Sequence, residues 1–315
     1  MNGFKVFTGN SNPELAKQIC AHLNLPLGKA QVKDFSDGEI DVEILESVRG
    51  VDVYVIQSTS NPAAKHLVEL LVIADALMRA SVKSITVVMP YYGYARQERK
   101  GKKRKPITAS LIARLLQQGN IHRLMCIEIH AGAIQGFFNC PMDHLYTSPV
   151  LIPELEKLRL DKPVILSPDA GGMERAVVYA RKLGGDPAMI YKKRSRANQS
   201  EALAILGDVN HRVVVIVDDM IDTAGSLVNA AKLALGEGAE KVFACATHAV
   251  FSGPAISRIT ASPIEKVIVT NTIQLSSEAL ACEKIQCVSV AELIATGMDK
   301  IYNRGSITSM FPEHP

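Results

Sequence analysis

Residues 213–226 read VVVIVDDMIDTAGS. An apolar, β-branched run leads into two adjacent carboxylates, Asp218 and Asp219. A short turn of Asp222, Thr223, Ala224, Gly225 and Ser226 follows, and an amphipathic helix pattern opens there. In an open parallel sheet, ligands bind beyond the carboxyl ends of the strands. Small residues let backbone N–H groups approach an anion, and a helix N-terminus favours negative charge. The turn therefore fits a phosphate, and the acidic pair fits the hydroxyls of a sugar attached to it. Two carboxylates at the end of an all-apolar strand are costly without partners. That cost favours a ligand site over a plain helix cap with a surface Asp pair.

Other segments narrow the chemistry. No G-x-x-x-x-G-K-[ST] occurs, and Gly236-Glu237-Gly238 lies at a helix end without a third glycine, so any ATP must be held another way. Residues 96–105 read RQERKGKKRK, with seven positive residues and one Glu, a net +6. The whole chain carries +3, so the remainder sums to −3 and the positive charge is local. By composition alone this run is a solvated loop. It lacks interleaved aromatics and a spread basic face, which argues against a nucleic-acid partner. The six cysteines, at 20, 126, 140, 245, 282 and 287, form neither a disulfide framework nor a zinc module. No apolar run reaches the ~20 residues of a bilayer span, and the first residues lack a secretory layout. The expectation is a cytoplasmic protein with reduced thiols and no membrane partner.

The elements that must position these residues alternate along the chain. Residues 51–57, 85–89, 124–129, 164–167, 212–217, 242–246 and 266–269 read as buried strands. Helix patterns lie between them, as at 63–78 and 227–235. This alternation predicts an α/β fold of mainly parallel sheets flanked by helices. With 315 residues and 47% hydrophobic side chains, two domains of ordinary size are expected. The halves resemble each other as strand, polar turn, helix and strand. They divide near Thr147-Ser148-Pro149, giving domains of 1–147 and 148–315, with the last residues returning to the first. Where the second half has Asp218-Asp219, the first has Gln57-Ser58.

VDDMIDTAGS (217–226) resembles the phosphoribosyl pyrophosphate (PRPP) signature of type I phosphoribosyltransferases. Within that superfamily the chain resembles the class I ribose-phosphate diphosphokinases nearly end to end. The resemblance rests on FTGNSNPELA (7–16), FSDGEIDVEILESVRG (35–50), MPYYGYARQERKGKKRKPITA (89–109), IEIHAGAIQGFF (127–138), SPDAGGMERA (167–176), KKRSRAN (192–198), VDDMIDTAGS and ATHAVFSG (246–253), in family order.

The resemblance implies two phosphoribosyltransferase-like domains and one reaction. The C1 hydroxyl of ribose 5-phosphate attacks the β-phosphorus of Mg-ATP, and AMP leaves. It implies that Asp218, Asp219 and the turn Asp222, Thr223, Ala224, Gly225 and Ser226 hold ribose 5-phosphate, together with Arg194, and that Lys192 is catalytic. Phe35, Asp37, Gly38, Glu39, Arg96 and Gln97 match the ATP segments, with ATP read across a subunit boundary, and the basic run becomes a loop over the active site. His130 and Asp169 match metal positions, for Mg²⁺. Ser47, Arg49, Ser306, Thr308 and Ser309 resemble parts of a regulatory site for phosphate and ADP, and the implied assembly is a homohexamer. By the residues alone, Lys192-Lys193-Arg194 reads as an exposed basic turn and Ser-Asp-Gly-Glu as an ordinary one. On the same footing His130 is a histidine satisfied by a backbone carbonyl, and the C-terminal segment is a polar tail.

The chain also departs from the family pattern. Glu98 and Glu128 replace Asp, and Asn139 stands where some relatives have Asp, which puts a second metal site in question. Tyr191, Lys193 and Ser195 replace Asp, Arg and Pro around the lysine. Three other functions are weighed: a phosphoribosyltransferase that consumes PRPP, a non-catalytic regulatory subunit, and a nucleic-acid binder. The long first half with its DGE and ARQ segments opposes the first. Retention of Lys192, Arg194, His130 and the acidic pair opposes the second.

Overall fold

The computed structural model describes residues 3–101, 103–193 and 202–312, with the backbone alone at 192, 193 and 202. The chain falls into two compact units. One comprises the chain through Tyr146, Thr272–Gln274 and Val290–Met310. The other comprises Thr147–Asn271, Leu275–Ser289 and the chain from Phe311.

The first unit runs β1 (Phe4–Thr8), α1 (Pro13–Leu23), β2 (Ala30–Asp34), β3 (Ile40–Ile44), β4 (Asp52–Ile56), α2 (Ala63–Arg79), β5 (Ser84–Met89), α3 (Thr108–Gln118), β6 (Arg123–Ile127) and β7 (Met142–Leu145). Its main sheet has the order β1-β4-β5-β6-β7 and every pair is parallel. Such strands are apolar on both faces because helices cover both. Helix α2 buries Leu67, Leu70, Ile73, Ala74 and Leu77, spaced to form one stripe, against Val53, Val55, Ile85 and Val87. Strands β2 and β3 form a separate antiparallel hairpin. Their half-exposed faces carry no apolar run, so they lack the buried-strand signal of the main sheet.

The second unit runs α4 (Ser148–Glu156), β8 (Val164–Ser167), α5 (Met173–Leu183), β9 (Asp186–Lys193), β10 (Ala202–Leu206), β11 (Val213–Ile221), α6 (Gly225–Gly236), β12 (Lys241–Ala249), α7 (Ala255–Thr260), β13 (Val267–Thr270), α8 (Ser277–Ala281) and β14 (Ile285–Val288). Its sheet order is β10-β9-β8-β11-β12-β13-β14, parallel except for β9 with β10. Val214 and Ile216 pack with α6 and α7 residues, including Leu227, Ala230 and Ile259. Val215 and Val217 pack on the opposite face with Leu151, Leu155, Ala176 and Tyr179 of α4 and α5. This is the expected α/β architecture, a largely parallel sheet covered on both faces.

After β14 the chain re-enters the first unit as α9 (Ala291–Tyr302), which packs on α1. The Tyr54 hydroxyl donates to the Met298 carbonyl at 3.3 Å, and the Phe4 and Tyr302 rings lie 4.9 Å apart. Strand β11 is longer than its apolar run. Pairing with β12 continues to Ile221 opposite Ala249, so Asp218 and Asp219 lie inside the strand rather than beyond its end. Among the described residues, no helix is long and apolar enough to cross a membrane.

Candidate active site

Three parallel strands of the second unit end on one edge. Ser167 of β8 pairs with Met189 of β9, and Leu166 of β8 pairs with Ile216 of β11. Asp169 lies two residues beyond Ser167, and Asp218 two beyond Ile216. Lys192 lies three beyond Met189, opposite Leu203 of β10. At ~3.3 Å per residue its Cα is carried about 10 Å past the Ser167 level. The register thus brings the backbone of Lys192 to the strand ends that carry Asp169 and the acidic pair. Arg194 lies outside the described residues.

Asp219 is buried and Asp218 half-buried. Burial, then the charge and hydrogen bond of neighbouring Asp219, push the Asp218 carboxyl well above the usual carboxylate range; Arg175 pulls it the other way. The Arg175 guanidinium, from the first turn of α5, lies 4.0 Å from Asp218 Oδ1. The Asp219 N–H donates to the same oxygen at 2.8 Å. A carboxylate pair held this way is stabilised by anything that brings donors or positive charge to it, including ligand hydroxyls or a cation.

The turn 222–226 is anchored from behind. Three successive carbonyls accept hydrogen bonds from the segment that follows β12. Ile221 accepts from the Phe251 N–H and Asp222 from the Ser252 N–H, both at 3.0 Å, and Thr223 accepts from Arg258 Nη1 of α7 at 2.9 Å. Helix α6 starts at Gly225 with Ala224 at its N-cap and no side-chain cap. By contrast, Asn12 caps α1 and Ser276 caps α8, each through a bond of 3.2 Å. First-turn amides have no intrahelical partner and carry the positive end of the helix dipole, which is what a phosphate requires. The left-handed residue is Ala224, with φ 58°, and not Gly225. For a residue with a Cβ that conformation costs ~1–2 kcal/mol, so the surrounding anchors must hold it.

Asp169 stands exposed in the turn after β8. Its Oδ1 accepts from the Gly172 N–H at 3.1 Å, and its carbonyl accepts from Ser167 Oγ at 2.7 Å. A Cβ on Gly172 would lie 2.5 Å from Ser167 Oγ, so a side chain there would push that hydroxyl off its bond to the Asp169 carbonyl.

The remaining sequence-predicted residues belong to the first unit. Phe35, Asp37, Gly38 and Glu39 form the exposed tip of the β2–β3 hairpin, closed by the Phe35 N–H to the Glu39 carbonyl at 2.7 Å, with Phe35 52% exposed. Arg96 and Gln97 lie in a short 3-10 turn, where Gln97 Oε1 accepts from Thr108 Oγ1 at 2.6 Å. His130 is exposed three residues after β6, beyond the buried Glu128, which has φ 40°. Ser47 and Arg49 lie on an exposed turn after β3. Ser306, Thr308 and Ser309 lie on another after α9, where Ser309 Oγ donates to the Ser306 carbonyl at 2.7 Å. Among the described residues, no three His, Cys, Asp or Glu side chains cluster as a ready metal cage.

In the first unit the position matching the acidic pair is filled from within. Gln57 is buried just after β4, and its Nε2 donates to Glu69 Oε1 at 2.7 Å and to the His66 carbonyl at 3.1 Å. The fully buried Glu69 also accepts from the Asn10 N–H at 2.6 Å and from Asn10 Nδ2 at 2.8 Å. Two residues of the second unit's site were not singled out from the sequence. Arg175 lies inside the SPDAGGMERA segment but had no charge partner in sight. Arg258 is 35 residues from Thr223 and carried no local signal.

Two family models match the chain. The model for the N-terminal domain of ribose phosphate pyrophosphokinase matches residues 4–119, and that for the phosphoribosyl synthetase-associated domain matches 186–312. The chain is 47% identical over 309 residues to a ribose-phosphate pyrophosphokinase of Neisseria meningitidis serogroup A, covering 98% of this chain and 94% of that protein. It is equally 47% identical over 311 residues to one from Helicobacter pylori, covering 99% and 97%. The chain belongs to the ribose-phosphate pyrophosphokinase family. The fold agrees with the family. A phosphoribosylpyrophosphate synthetase from Mycobacterium smegmatis superposes with a TM-score of 0.90 at 35% identity, covering 96% of this chain and all of that one.

Proposed function

We infer that the chain is a ribose-phosphate pyrophosphokinase, which transfers the pyrophosphoryl group of ATP to the C1 hydroxyl of ribose 5-phosphate. The bond from the C1 oxygen to the β-phosphorus forms as the hydroxyl loses its proton. The bond from the β-phosphorus to the bridging oxygen breaks, and AMP leaves with that oxygen. The product, PRPP, feeds nucleotide, histidine and tryptophan biosynthesis. The observation that carries this reading is the similarity to pyrophosphokinases over 98% of the chain.

The chemistry needs positioning and neutralisation of growing charge. Asp218 and Asp219 accept hydrogen bonds from ribose hydroxyls, and the turn 222–226 with Arg194 holds the 5-phosphate. Lys192 is the catalytic cation that meets charge developing during transfer. Phe35, Asp37, Gly38 and Glu39 read the adenine side of ATP in a neighbouring subunit, and Arg96 and Gln97 meet its phosphates. The exposure of the hairpin tip, with Phe35 uncovered, supports a docking role for it.

Mg²⁺ suits this donor set. It keeps several waters and takes one or two protein oxygens plus substrate phosphates, so the lack of a three-residue cluster among the described residues is what its chemistry allows. Asp169 and His130 are its proposed ligands, and when bound it would neutralise charge on the ATP phosphates. Phosphate and ADP act as effectors through Ser47, Arg49, Ser306, Thr308 and Ser309 in a cytoplasmic homohexamer.

The test is product analysis. Purified protein with Mg-ATP and ribose 5-phosphate should form AMP and PRPP in equal amounts, with no AMP when ribose 5-phosphate is omitted. Consumption of PRPP with a base, and no AMP from ATP, would replace this reading with that of a phosphoribosyltransferase.

A further inference from the structure

We propose that Arg258 is a positioning residue that locks the peptide plane between Thr223 and Ala224, so that the Ala224 N–H faces the ribose 5-phosphate anion. The proposal rests on assigning the turn 222–226 to that phosphate.

The argument starts from the anchored carbonyls. In a trans peptide the C=O and the following N–H point in opposite directions. The Asp222 carbonyl is held by the Ser252 N–H at 3.0 Å and the Thr223 carbonyl by Arg258 Nη1 at 2.9 Å. The N–H groups of Thr223 and Ala224 are therefore both turned away from residues 252–258, side by side. Successive amides facing one way make an anion-binding concavity.

The two anchors are not equivalent. A backbone N–H holds the Asp222 carbonyl, whereas the end of an exposed side chain holds that of Thr223. The plane held by Arg258 is also the one under strain. Rotating it by half a turn would take Ala224 from φ 58° to the negative side, where an L residue is relaxed. The same rotation would withdraw the Ala224 N–H and aim the Thr223 carbonyl oxygen at the phosphate. The intrinsic preference of Ala224 thus favours the unproductive plane, and Arg258 opposes it.

Apparent affinity falls by the fraction of molecules in the competent state. If losing Arg258 leaves about one molecule in ten competent, KM for ribose 5-phosphate rises about 10-fold, while KM for ATP stays within about 2-fold. A glycine at 224 removes the cost of positive φ, so it should restore competence when Arg258 is absent.

The experiment is a cycle of the native chain, Arg258→Ala, Ala224→Gly and the double variant, with KM measured for both substrates. Far-UV circular dichroism and Tm establish that each protein folds. Expected are an increase of about 10-fold in KM for ribose 5-phosphate in Arg258→Ala and a value at least about 3-fold lower in the double variant than in Arg258→Ala. A direct contact with the phosphate, or a general structural role, would leave the double variant no better than Arg258→Ala, and that result overturns the proposal. Asp222→Ala separates the levels. If it raises KM for ribose 5-phosphate while Arg258→Ala does not, only the role of Arg258 fails. If neither moves it, the assignment of the turn itself fails.

Discussion

Substitutions at Gly225 separate the fold of the phosphate turn from its function. An ideal Cβ built there lies 3.4 Å from Arg258 Nη1 and 3.7 Å from Thr223 Oγ1, which are ordinary contact distances. Alanine should therefore fit without rearrangement. Glycine costs ~0.8–1.0 kcal/mol against alanine inside a helix, and Gly225 is the first residue of α6, so up to about this much returns in Gly225→Ala. For a unit of this size 1 kcal/mol moves Tm by roughly 2–4 °C, and a rise of about 1–3 °C is expected. Valine adds two methyl carbons ~1.5 Å beyond the Cβ. They press on the Arg258 guanidinium, displace it from the Thr223 carbonyl and release the turn. Gly225→Val should then raise KM for ribose 5-phosphate by about 10-fold, with Tm still near that of the native chain. Thermal melts and AMP formation at saturating ATP measure both effects. A fall of several degrees in Gly225→Ala, or an unchanged KM in Gly225→Val, would refute this reasoning.

Asp218→Asn should exchange function for stability. A carboxyl whose folded pKa is raised contributes stability below its unfolded pKa, and this is lost as pH rises through the folded value. The variant should therefore gain on the native chain in urea unfolding as pH rises out of the ordinary carboxylate range towards the raised folded value, while losing activity; a pH-independent gap would contradict the buried acidic pair. Glu69→Ala strips the acceptor from the Asn10 N–H, Asn10 Nδ2 and Gln57 Nε2. Asn10 is exposed and Gln57 Nε2 keeps its bond to the His66 carbonyl, so at ~1–3 kcal/mol for a buried unmet donor the first unit should lose about 1–3 kcal/mol in denaturant melts, and Glu69→Gln less; equal, negligible losses would argue against the network. Cys20, Cys126 and Cys245 are buried, and burial pushes the Cys20 thiol up to about 11 and Cys126 further. Mass spectrometry after brief alkylation at neutral pH should find these three unmodified in the native protein and labelled only after denaturation.

How far the sequence speaks depends on whether a feature is local. Buried parallel strands were legible because both faces must be apolar, as in β4, β8 and the first half of β11. The hairpin β2–β3 was not, since its half-exposed strands carry no such run. The acidic pair and the small-residue turn were visible as an anomaly at the end of an apolar run. Lys192 had no local distinction from Lys193, and only the family resemblance singled it out. Arg175 and Arg258 reach the site through tertiary packing, so neither spacing nor composition could find them. The same holds for Ala224. Its left-handed backbone is tied to distant anchors that leave no local mark in the sequence.

The most direct test of the central claim, that transfer occurs at the strand ends of the second unit under the charge of Lys192, is a paired measurement of kcat. Lys192→Ala and Lys193→Ala are assayed side by side for AMP formation at saturating Mg-ATP and ribose 5-phosphate. Removing one charge partner of a transition state costs roughly 10²–10³ in kcat, about 3–4 kcal/mol. The account predicts that loss for Lys192→Ala, with both KM values little changed, and near-native turnover for Lys193→Ala. Equal, mild losses in the two variants would contradict it.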